Sequence, residues 1–194
     1  MATATAGSYP VTFDVQYPQE LSRWLIFVKW LLAIPHFVVL YLLNAVVSII
    51  TFIAFFAILF TGKYPQELFK FAVGVNRWAA NVSAYVMLLR DEYPPFSWDE
   101  GKYAVIYDVA YPDQLSRWKI FVKWLLIIPN IIVLLFLYIG AMLAEFAAWF
   151  AILFTKRYPE GLFRFVVGVL RWQMRVSAYT NLMRDEYPPF SMEA

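Results

Sequence analysis

Two long apolar stretches dominate the pattern of hydrophobic and polar positions along the chain. From Trp30 to Gly62, 33 residues contain no Asp, Glu, Lys or Arg, and the stretch from Trp124 to Thr155 contains one charged residue, Glu145. At about 1.5 Å per residue, such a helix would reach roughly 50 Å, against a hydrocarbon core of about 30 Å. Each stretch therefore predicts membrane-embedded helix that is too long for one crossing and short for two.

The two stretches belong to two copies of one sequence unit. Residues 17–98 align with residues 111–192 at a constant offset of 94 without a gap, and 49 of the 82 aligned positions are identical. A short alternating segment precedes each copy, TFDVQYP and VIYDVAYP, and is typical of an extended strand. The repeat divides the chain into an N-terminal tail (1–8), repeat unit 1 (9–100) and repeat unit 2 (101–194).

A membrane-embedded helical hairpin accounts for the length when the first stretch is extended back to Arg23. One helix would run from about residue 24 to residue 43 with a kink at Pro35, the chain would turn near Asn44, and a second helix would end at Thr61. The corresponding kink and turn in unit 2 are at Pro129 and at Ile139–Gly140. With this hairpin the fold class is an all-α membrane protein, built as a tandem repeat with short extended leads.

The competing interpretation ends an interfacial helix at Pro35 and crosses the membrane once, from about residue 36 to residue 61. One crossing per unit would put two nearly identical units on opposite sides, against the preference of Lys and Arg for the cytoplasmic side. It would also leave Glu145 near mid-bilayer, whereas the hairpin places this carboxyl about one turn from a membrane face. The hairpin is therefore favoured.

A third segment of each unit has the period of an amphipathic helix. Basic residues and one glycine recur on a single stripe, at i, i+4, i+7 and i+11, among Phe, Val, Leu and Trp. We expect this helix to lie in the headgroup layer with its basic stripe toward anionic lipid. Gly74 and Gly168 either let another backbone approach the stripe or are merely tolerated. The predicted headgroup-binding residues are Lys70, Arg77, Arg164, Arg171 and Arg175.

Each unit ends on the same phrase, RDEYPPFS, at residues 90–97 and 184–191. Its paired prolines cannot continue a helix, so the amphipathic helix is expected to stop at about Arg90 and Arg184. The acids that follow lie at a helix C-terminus, where the macrodipole disfavours negative charge, so they either pair with bases or are solvated. The predicted ion pairs, either within a unit or between the two units, join Asp91, Glu92, Asp185 and Glu186 to Arg23, Lys29, Arg117 and Lys123.

Composition supports a membrane protein and leaves little candidate chemistry. The chain is 62% hydrophobic and 15% charged, against about 25% charged in soluble domains, and its mean hydropathy is +0.58. It has no cysteine, and its single histidine, His36, is replaced by Asn130 in unit 2. No catalytic residue, cofactor or metal site is predicted, and a net charge of +2 predicts no nucleic-acid partner. The first residues lack a signal-peptide pattern, so the N-terminus is expected to be cytoplasmic.

The order of short motifs in each unit carries a family resemblance. YP, LSRW, FVKWLL, IP, FAILFT, VGV, RW, VSAY and DEYPPFS follow one another twice. This order resembles a bacterial family of small membrane proteins, domain of unknown function 4389, over essentially the whole chain. The resemblance implies a bacterial membrane protein with two tandem copies. We expect the protein in the cytoplasmic (inner) membrane. It implies no activity and no catalytic residue.

Three functions agree with these features. The first is a non-enzymatic, multi-pass structural or accessory subunit of a larger bacterial membrane complex, with anionic lipids and other subunits or a second copy as partners. The second is membrane shaping by hairpins and surface-lying helices that expand one leaflet. The third is a small transporter or channel, for which the polar groups are Asn44, Ser48, Thr51 and Glu145. Glu145, which is Thr51 in unit 1, is also the candidate contact with a partner subunit.

Overall fold

The computed structural model describes residues 9–193 as two matching sets of elements; the predicted tail, residues 1–8, lies outside them. Each set has one strand, one short helix and two long helices. Unit 1 contains β1 (Val11–Val15), α1 (Leu25–Leu32), α2 (Ile34–Thr61) and α3 (Gln66–Val86). Unit 2 contains β2 (Val105–Val109), α4 (Lys119–Leu126), α5 (Ile128–Thr155) and α6 (Glu160–Thr180).

The helical hairpin predicted in each unit is wrong. Helix α2 passes through Asn44 without a turn, and α5 passes through Ile139–Gly140 in the same way. The polar side chains in the middle of α2 bond within the helix: Asn44 Nδ2 donates to the Leu40 carbonyl at 2.8 Å and Ser48 Oγ to the Asn44 carbonyl at 3.0 Å. These residues therefore neither cap a helix end nor turn the chain.

The irregular point of the stretch comes earlier, at the junction of α1 and α2. A single residue, Ala33, separates them, and Pro35 occupies the first turn of α2, where a missing N–H is tolerated. Backbone hydrogen bonds continue across this junction and across Ile127 in unit 2. The stretches Leu25–Thr61 and Lys119–Thr155 are each long and apolar enough to cross a membrane.

The two units exchange their strands. β1 and β2 pair antiparallel with Phe13 opposite Tyr107, two residues that the repeat offset of 94 also relates. The pair therefore lies on the pseudo-twofold axis between the units. β1 packs on α6 and β2 packs on α3, so each strand covers the amphipathic helix of the other unit.

The long helices of the two units run antiparallel to each other. At one end the Arg23 guanidinium, just before α1, donates to the Phe154 carbonyl at 3.0 Å. Four residues later, the Phe27 ring packs edge-on against the ring of Trp149, which lies earlier in α5, at 5.1 Å. At the other end the α4 ring of Phe121 packs against Phe55 of α2 at 5.4 Å. The N-terminal end of each stretch therefore lies beside the C-terminal end of the other. For two such antiparallel stretches, the pseudo-twofold axis passes between their middles.

The elements form three layers, and this corrects the placement of the amphipathic helices. One layer contains α1, α2, α4 and α5, the middle layer contains α3 and α6, and the third contains the sheet. Helices α3 and α6 were expected in the headgroup layer. They are internal, because the exchanged strand covers the face that the long helix of their own unit leaves free. A hydrophobic period of 3.6 residues indicates a helix with one polar face. It does not show whether lipid headgroups or another part of the chain contact that face.

The amphipathic helices also end four residues before the predicted stops. α3 ends at Val86 and α6 at Thr180, and each is followed by a leucine with a left-handed backbone, Leu88 (φ 61°) and Leu182 (φ 60°). The N–H of the residue after each leucine bonds back across the last turn, as in a Schellman motif. The phrase RDEYPPFS therefore runs as an extended segment over the protein.

Candidate functional site

One whole face of the molecule is apolar. Along α2 the exposed large side chains recur every three or four residues from Ile34 to Phe60, and the buried ones lie on the opposite side of the helix against α3. The short helices begin beside Trp24 and Trp118, whose side chains are 80% and 81% exposed. We call the exposed surface of α1, α2, α4 and α5 the apolar face. A continuous apolar surface of this extent marks a contact with a membrane or a protein.

The opposite face carries carboxylates. The side chains of Asp14 on β1 and Asp108 on β2 are 60% and 59% exposed, and that of Glu100 is 78% exposed. Asp14 pairs with Arg171 at 3.0 Å, and Arg77 pairs with Glu100 at 3.0 Å and with Asp108 at 3.3 Å. These charges lie at the pseudo-twofold axis, level with the middle of the long helices.

Two predicted headgroup-binding arginines, Arg77 and Arg171, bind the exchanged strands instead. Arg77 Nε donates to the Tyr107 carbonyl at 2.9 Å and Arg171 Nε to the Phe13 carbonyl at 2.8 Å. Each guanidinium also donates to a carbonyl in the segment that follows the paired prolines, Arg77 to that of Trp98 at 2.9 Å. The prediction is wrong for these two residues because the strands, which come from the other unit, take the place assigned to lipid.

The remaining stripe residues divide in the same way. Arg175 is buried and donates to the Ser191 carbonyl at 3.2 Å, so its predicted contact with headgroups is also wrong. Lys70 is exposed and pairs with Glu67 at 3.0 Å, and Arg164 is exposed and pairs with a glutamate one turn away. Headgroup binding by Lys70 and Arg164 stays a prediction.

Gly168 lets the C-terminal segment pass close to α6. A Cβ at this position would lie 2.7 Å from Met192 Cβ, closer than real Cβ contacts, while Gly161 of the same helix has open space. We expect Gly168→Ala to lower the free energy of unfolding by about 1–3 kcal/mol because the segment must move. The control Gly161→Ala should raise it by about 0.5–1 kcal/mol through backbone entropy. Denaturant titration in mild detergent measures both; equal changes would contradict the close approach.

The phrase RDEYPPFS joins the end of each unit to its own beginning. Lys29 is buried, and its Nζ lies 2.8 Å from Asp91 Oδ1 and donates to the Arg90 carbonyl at 2.7 Å. The second Asp91 oxygen accepts the backbone N–H of Ser22. Unit 2 repeats the arrangement, with Lys123 Nζ 2.8 Å from Asp185 Oδ1 and bonded to the Arg184 carbonyl at 2.8 Å.

The glutamates of the phrase pair inside it rather than with the start of the unit. Glu92 accepts from the Arg90 guanidinium, and Glu186 accepts from Arg184. Burial alone would raise the pKa of Glu92, but the hydrogen bonds and the charge of Arg90 hold this pKa below its usual value. Within residues 9–193, Arg23 and Arg117 make no ion pair: Arg23 donates to a backbone carbonyl, and Arg117 lies beside Gly62.

The exchange of His36 for Asn130 has a structural reason that the sequence did not reveal. His36 Nδ1 accepts the indole N–H of Trp78 at 3.0 Å, and Asn130 Oδ1 accepts that of Trp172 at 2.7 Å. Both acceptors are buried. Either residue type therefore satisfies a buried indole, and the His36 ring also stacks on Phe96 at 4.0 Å.

Two grooves, related by the pseudo-twofold axis, open between the short helix of one unit and the long helix of the other. The groove between α1 and α5 has a volume of about 650 Å³ and is lined by Lys29, Glu145 and apolar side chains. The groove between α4 and α2 has a volume of about 580 Å³ and is lined by Lys123 and Thr51 in the same places. Because the hairpin is absent, Glu145 lies ten residues before the end of α5, not near a helix end.

Comparison with known proteins gives one family. Residues 23–97 and 117–192 match the model described as Domain of unknown function (DUF4389). The chain matches no curated protein and no solved structure. Each matched region begins at the arginine of LSRW and includes the phrase RDEYPPFS. The chain therefore belongs to the DUF4389 family and contains two tandem copies of its domain.

Proposed function

We propose that this protein is a non-enzymatic membrane protein that lies in one leaflet of the bilayer, with the apolar face toward the acyl chains, and organises the lipids around it. The proposal rests on one observation, that an apolar surface and a charged surface lie on opposite sides of the molecule. The exposed side chains of α1, α2, α4 and α5 are overwhelmingly apolar, while the sheet on the far side of α3 and α6 exposes the carboxylates of Asp14 and Asp108.

The position of the sheet favours helices that lie in the membrane plane. If the long helices crossed the bilayer, their antiparallel arrangement would put the pseudo-twofold axis in the membrane plane, with the sheet at mid-bilayer depth. The exposed carboxylates of Asp14, Glu100 and Asp108 would then face hydrocarbon. A charged side chain at that depth costs about 2.5–3.5 kcal/mol, and the pairs with Arg77 and Arg171 leave one of the three carboxylates without a matching charge. With the helices parallel to the surface, the same carboxylates face water.

The in-plane orientation also agrees with the distribution of basic residues. It puts the pseudo-twofold axis along the membrane normal, so both units lie on the same side, as the positive-inside preference requires. Exposed basic side chains lie where each long helix turns into the amphipathic helix, including Lys63, Lys70, Arg157 and Arg164. At the rim of the apolar face they can contact anionic headgroups.

Insertion into one leaflet has a mechanical consequence. Two apolar helical stretches of 37 residues each displace lipid in the leaflet that holds them and leave the other leaflet unchanged. Amphipathic elements that insert in this way respond to curvature and to lipid composition. The proposed role is therefore to recruit lipid to, or to bend, the membrane beneath the apolar face.

Single cysteines test the orientation, because the chain has none of its own. Lys63 and Arg157 are exposed positions related by the repeat offset, and the antiparallel helices place them at opposite ends of the molecule. We expect a membrane-impermeant maleimide to label Lys63→Cys and Arg157→Cys from the same side, compared in inside-out and right-side-out vesicles. Thr12→Cys on the sheet should be labelled from that side too, and Phe56→Cys on the apolar face should be protected. Labelling of the first two variants from opposite sides would establish crossing helices and end the proposal.

A structural subunit of a larger bacterial membrane complex is the second candidate. The sheet leaves a charged surface, which includes Asp14 and Asp108, open to a protein partner. The apolar face contacts the membrane at the same time. Extraction in mild detergent, followed by mass spectrometry of everything that travels with the protein, separates the two roles. A stoichiometric protein partner supports the subunit, and lipid alone supports the leaflet-embedded protein.

A further inference from the structure

We propose that the groove between α1 and α5 binds the ammonium headgroup of an aminolipid, with Glu145 as the counter-charge. The inference rests on the proposed function, because lipid would reach this groove from the leaflet that the apolar face contacts. It names the lipid class that the protein recruits, and it assigns the site to one of the two grooves.

The charged groups of the groove favour a cation as the ligand. The ammonium of Lys29 is already satisfied, with Asp91 Oδ1 at 2.8 Å and the Arg90 carbonyl at 2.7 Å. Glu145, in the wall of the groove, makes no hydrogen bond and no ion pair with any residue between 9 and 193. With Glu145 ionised, Lys29, Asp91 and Glu145 together leave one negative charge among apolar side chains. A carboxylate in such surroundings is stabilised by a cation that donates hydrogen bonds to it.

The walls of the groove suit an ammonium group attached to an acyl chain. Trp30 and Trp149 line it beside Glu145, and indole faces attract cations. Met142, Phe146 and Phe150 continue the lining along α5 and are apolar. A volume of about 650 Å³ lies within the range of small-molecule sites, roughly 300–1,000 Å³. One end of the groove can thus take a charged headgroup, and the rest can take hydrocarbon.

The groove between α4 and α2 provides an internal control. Thr51 replaces Glu145 there, and its hydroxyl donates to the Val47 carbonyl at 2.9 Å within its own helix. Lys123 is compensated by Asp185 at 2.8 Å, as Lys29 is by Asp91. In charge the two grooves therefore differ by one carboxylate, and Phe55 takes the place of Trp149 in the second groove. Both differences assign the ammonium site to the α1–α5 groove.

A lipid headgroup fits this groove better than the basic residue of a partner helix does. Helix α1 has eight residues, about two turns, so it offers a short seam for helix packing. Glu145 is only partly exposed between its neighbours, and a flexible headgroup reaches such a carboxylate without a large docking surface. Lipid is also the molecule that surrounds the apolar face in the proposed orientation.

Lipid titration of the full-length protein tests the inference. The wild-type protein and three variants, Glu145→Gln, Glu145→Thr and Thr51→Glu, are purified in detergent and titrated with phosphatidylethanolamine or phosphatidylglycerol, and native mass spectrometry counts the bound lipids. We expect the wild-type protein to bind one phosphatidylethanolamine in preference to phosphatidylglycerol. Glu145→Gln and Glu145→Thr should each weaken that site about tenfold, which corresponds to about 1.4 kcal/mol. Thr51→Glu should add a second site.

Several results would overturn the inference. They are unchanged phosphatidylethanolamine affinity in Glu145→Gln, equal affinity of the wild-type protein for the two lipids, or a protein subunit that leaves with Glu145→Gln while lipid binding stays the same. Circular dichroism checks folding, and the isosteric Glu145→Gln carries the test if Thr51→Glu misfolds. Flotation with vesicles separates the two proposals: Glu145→Gln should float as the wild-type protein does, whereas a wild-type protein that fails to float would refute the leaflet-embedded function itself.

Discussion

Replacement of Asp91 by Ala should lower the free energy of unfolding by about 3–5 kcal/mol. The Lys29 side chain is 2% exposed and that of Asp91 is 22% exposed, so the change leaves a buried ammonium with the Arg90 carbonyl as its remaining hydrogen-bond partner. The backbone N–H of Ser22 loses its acceptor as well. Denaturant titration in mild detergent, followed by circular dichroism, measures the loss, and Asp185→Ala should repeat it in unit 2.

Two further variants separate the buried pair from ordinary surface charge. Lys29→Met removes the buried ammonium and leaves a carboxylate that still contacts water, so its loss should be smaller than that of Asp91→Ala. Asp99→Asn breaks an exposed pair with Lys102 and should leave stability close to that of the wild-type protein. If Asp91→Ala behaved like Asp99→Asn, the link between the end and the beginning of each unit would not be structural.

Replacement of Arg77 by Ala should loosen the exchanged strand and lower the free energy of unfolding by about 2–4 kcal/mol. Its guanidinium donates to the carbonyls of Tyr107 and Trp98, both at 2.9 Å, and pairs with Glu100 and Asp108. A buried carbonyl left without a donor costs about 1–3 kcal/mol. Because the strand belongs to the other unit, amide hydrogen exchange across residues 98–110 should speed up more than exchange in α2, as mass spectrometry can measure.

The same helix offers the matched controls. Lys70 lies on the stripe two turns before Arg77 but is exposed, so Lys70→Ala should change neither exchange nor stability appreciably. Arg77→Lys should recover only part of the loss, because an ammonium group cannot reproduce the fork that serves four acceptors. Unchanged exchange over residues 98–110 in Arg77→Ala would show that the sheet holds itself in place.

The tandem copies, the strands and one buried ion pair could be predicted because they follow from local sequence patterns and from the repeat. The prediction of two tandem copies of the DUF4389 family is confirmed. The alternating leads are the strands β1 and β2, and the sequence named Lys29 and Asp91 as partners that the structure places 2.8 Å apart. These features depend on period, on residue type or on comparison of the copies, all of which a single sequence contains.

The predictions of the hairpin and of the headgroup stripe were wrong because the actual arrangements give the same local sequence pattern. A hairpin of two short helices and one long continuous helix are equally free of charge, so hydropathy does not show whether the chain turns. The stripes that contain Arg77 on α3 and Arg171 on α6 need hydrogen-bond acceptors, and both lipid headgroups and backbone carbonyls supply them. The carbonyls that serve here belong to the other unit, those of Tyr107 and Phe13, and no periodicity within a helix points to them.

The exchanged strands also bear on how such a chain can arise and diverge. One unit alone has a strand that fits the helix of a second copy, and its Phe13 position lies on the twofold axis, which is the geometry of a self-complementary homodimer. In a homodimer encoded by one gene, every mutation alters both grooves at once. Tandem duplication removes that constraint, since each half of the gene then mutates separately. A carboxylate at position 145 with a hydroxyl at position 51 is a difference that a duplicated gene can hold and a symmetric homodimer cannot.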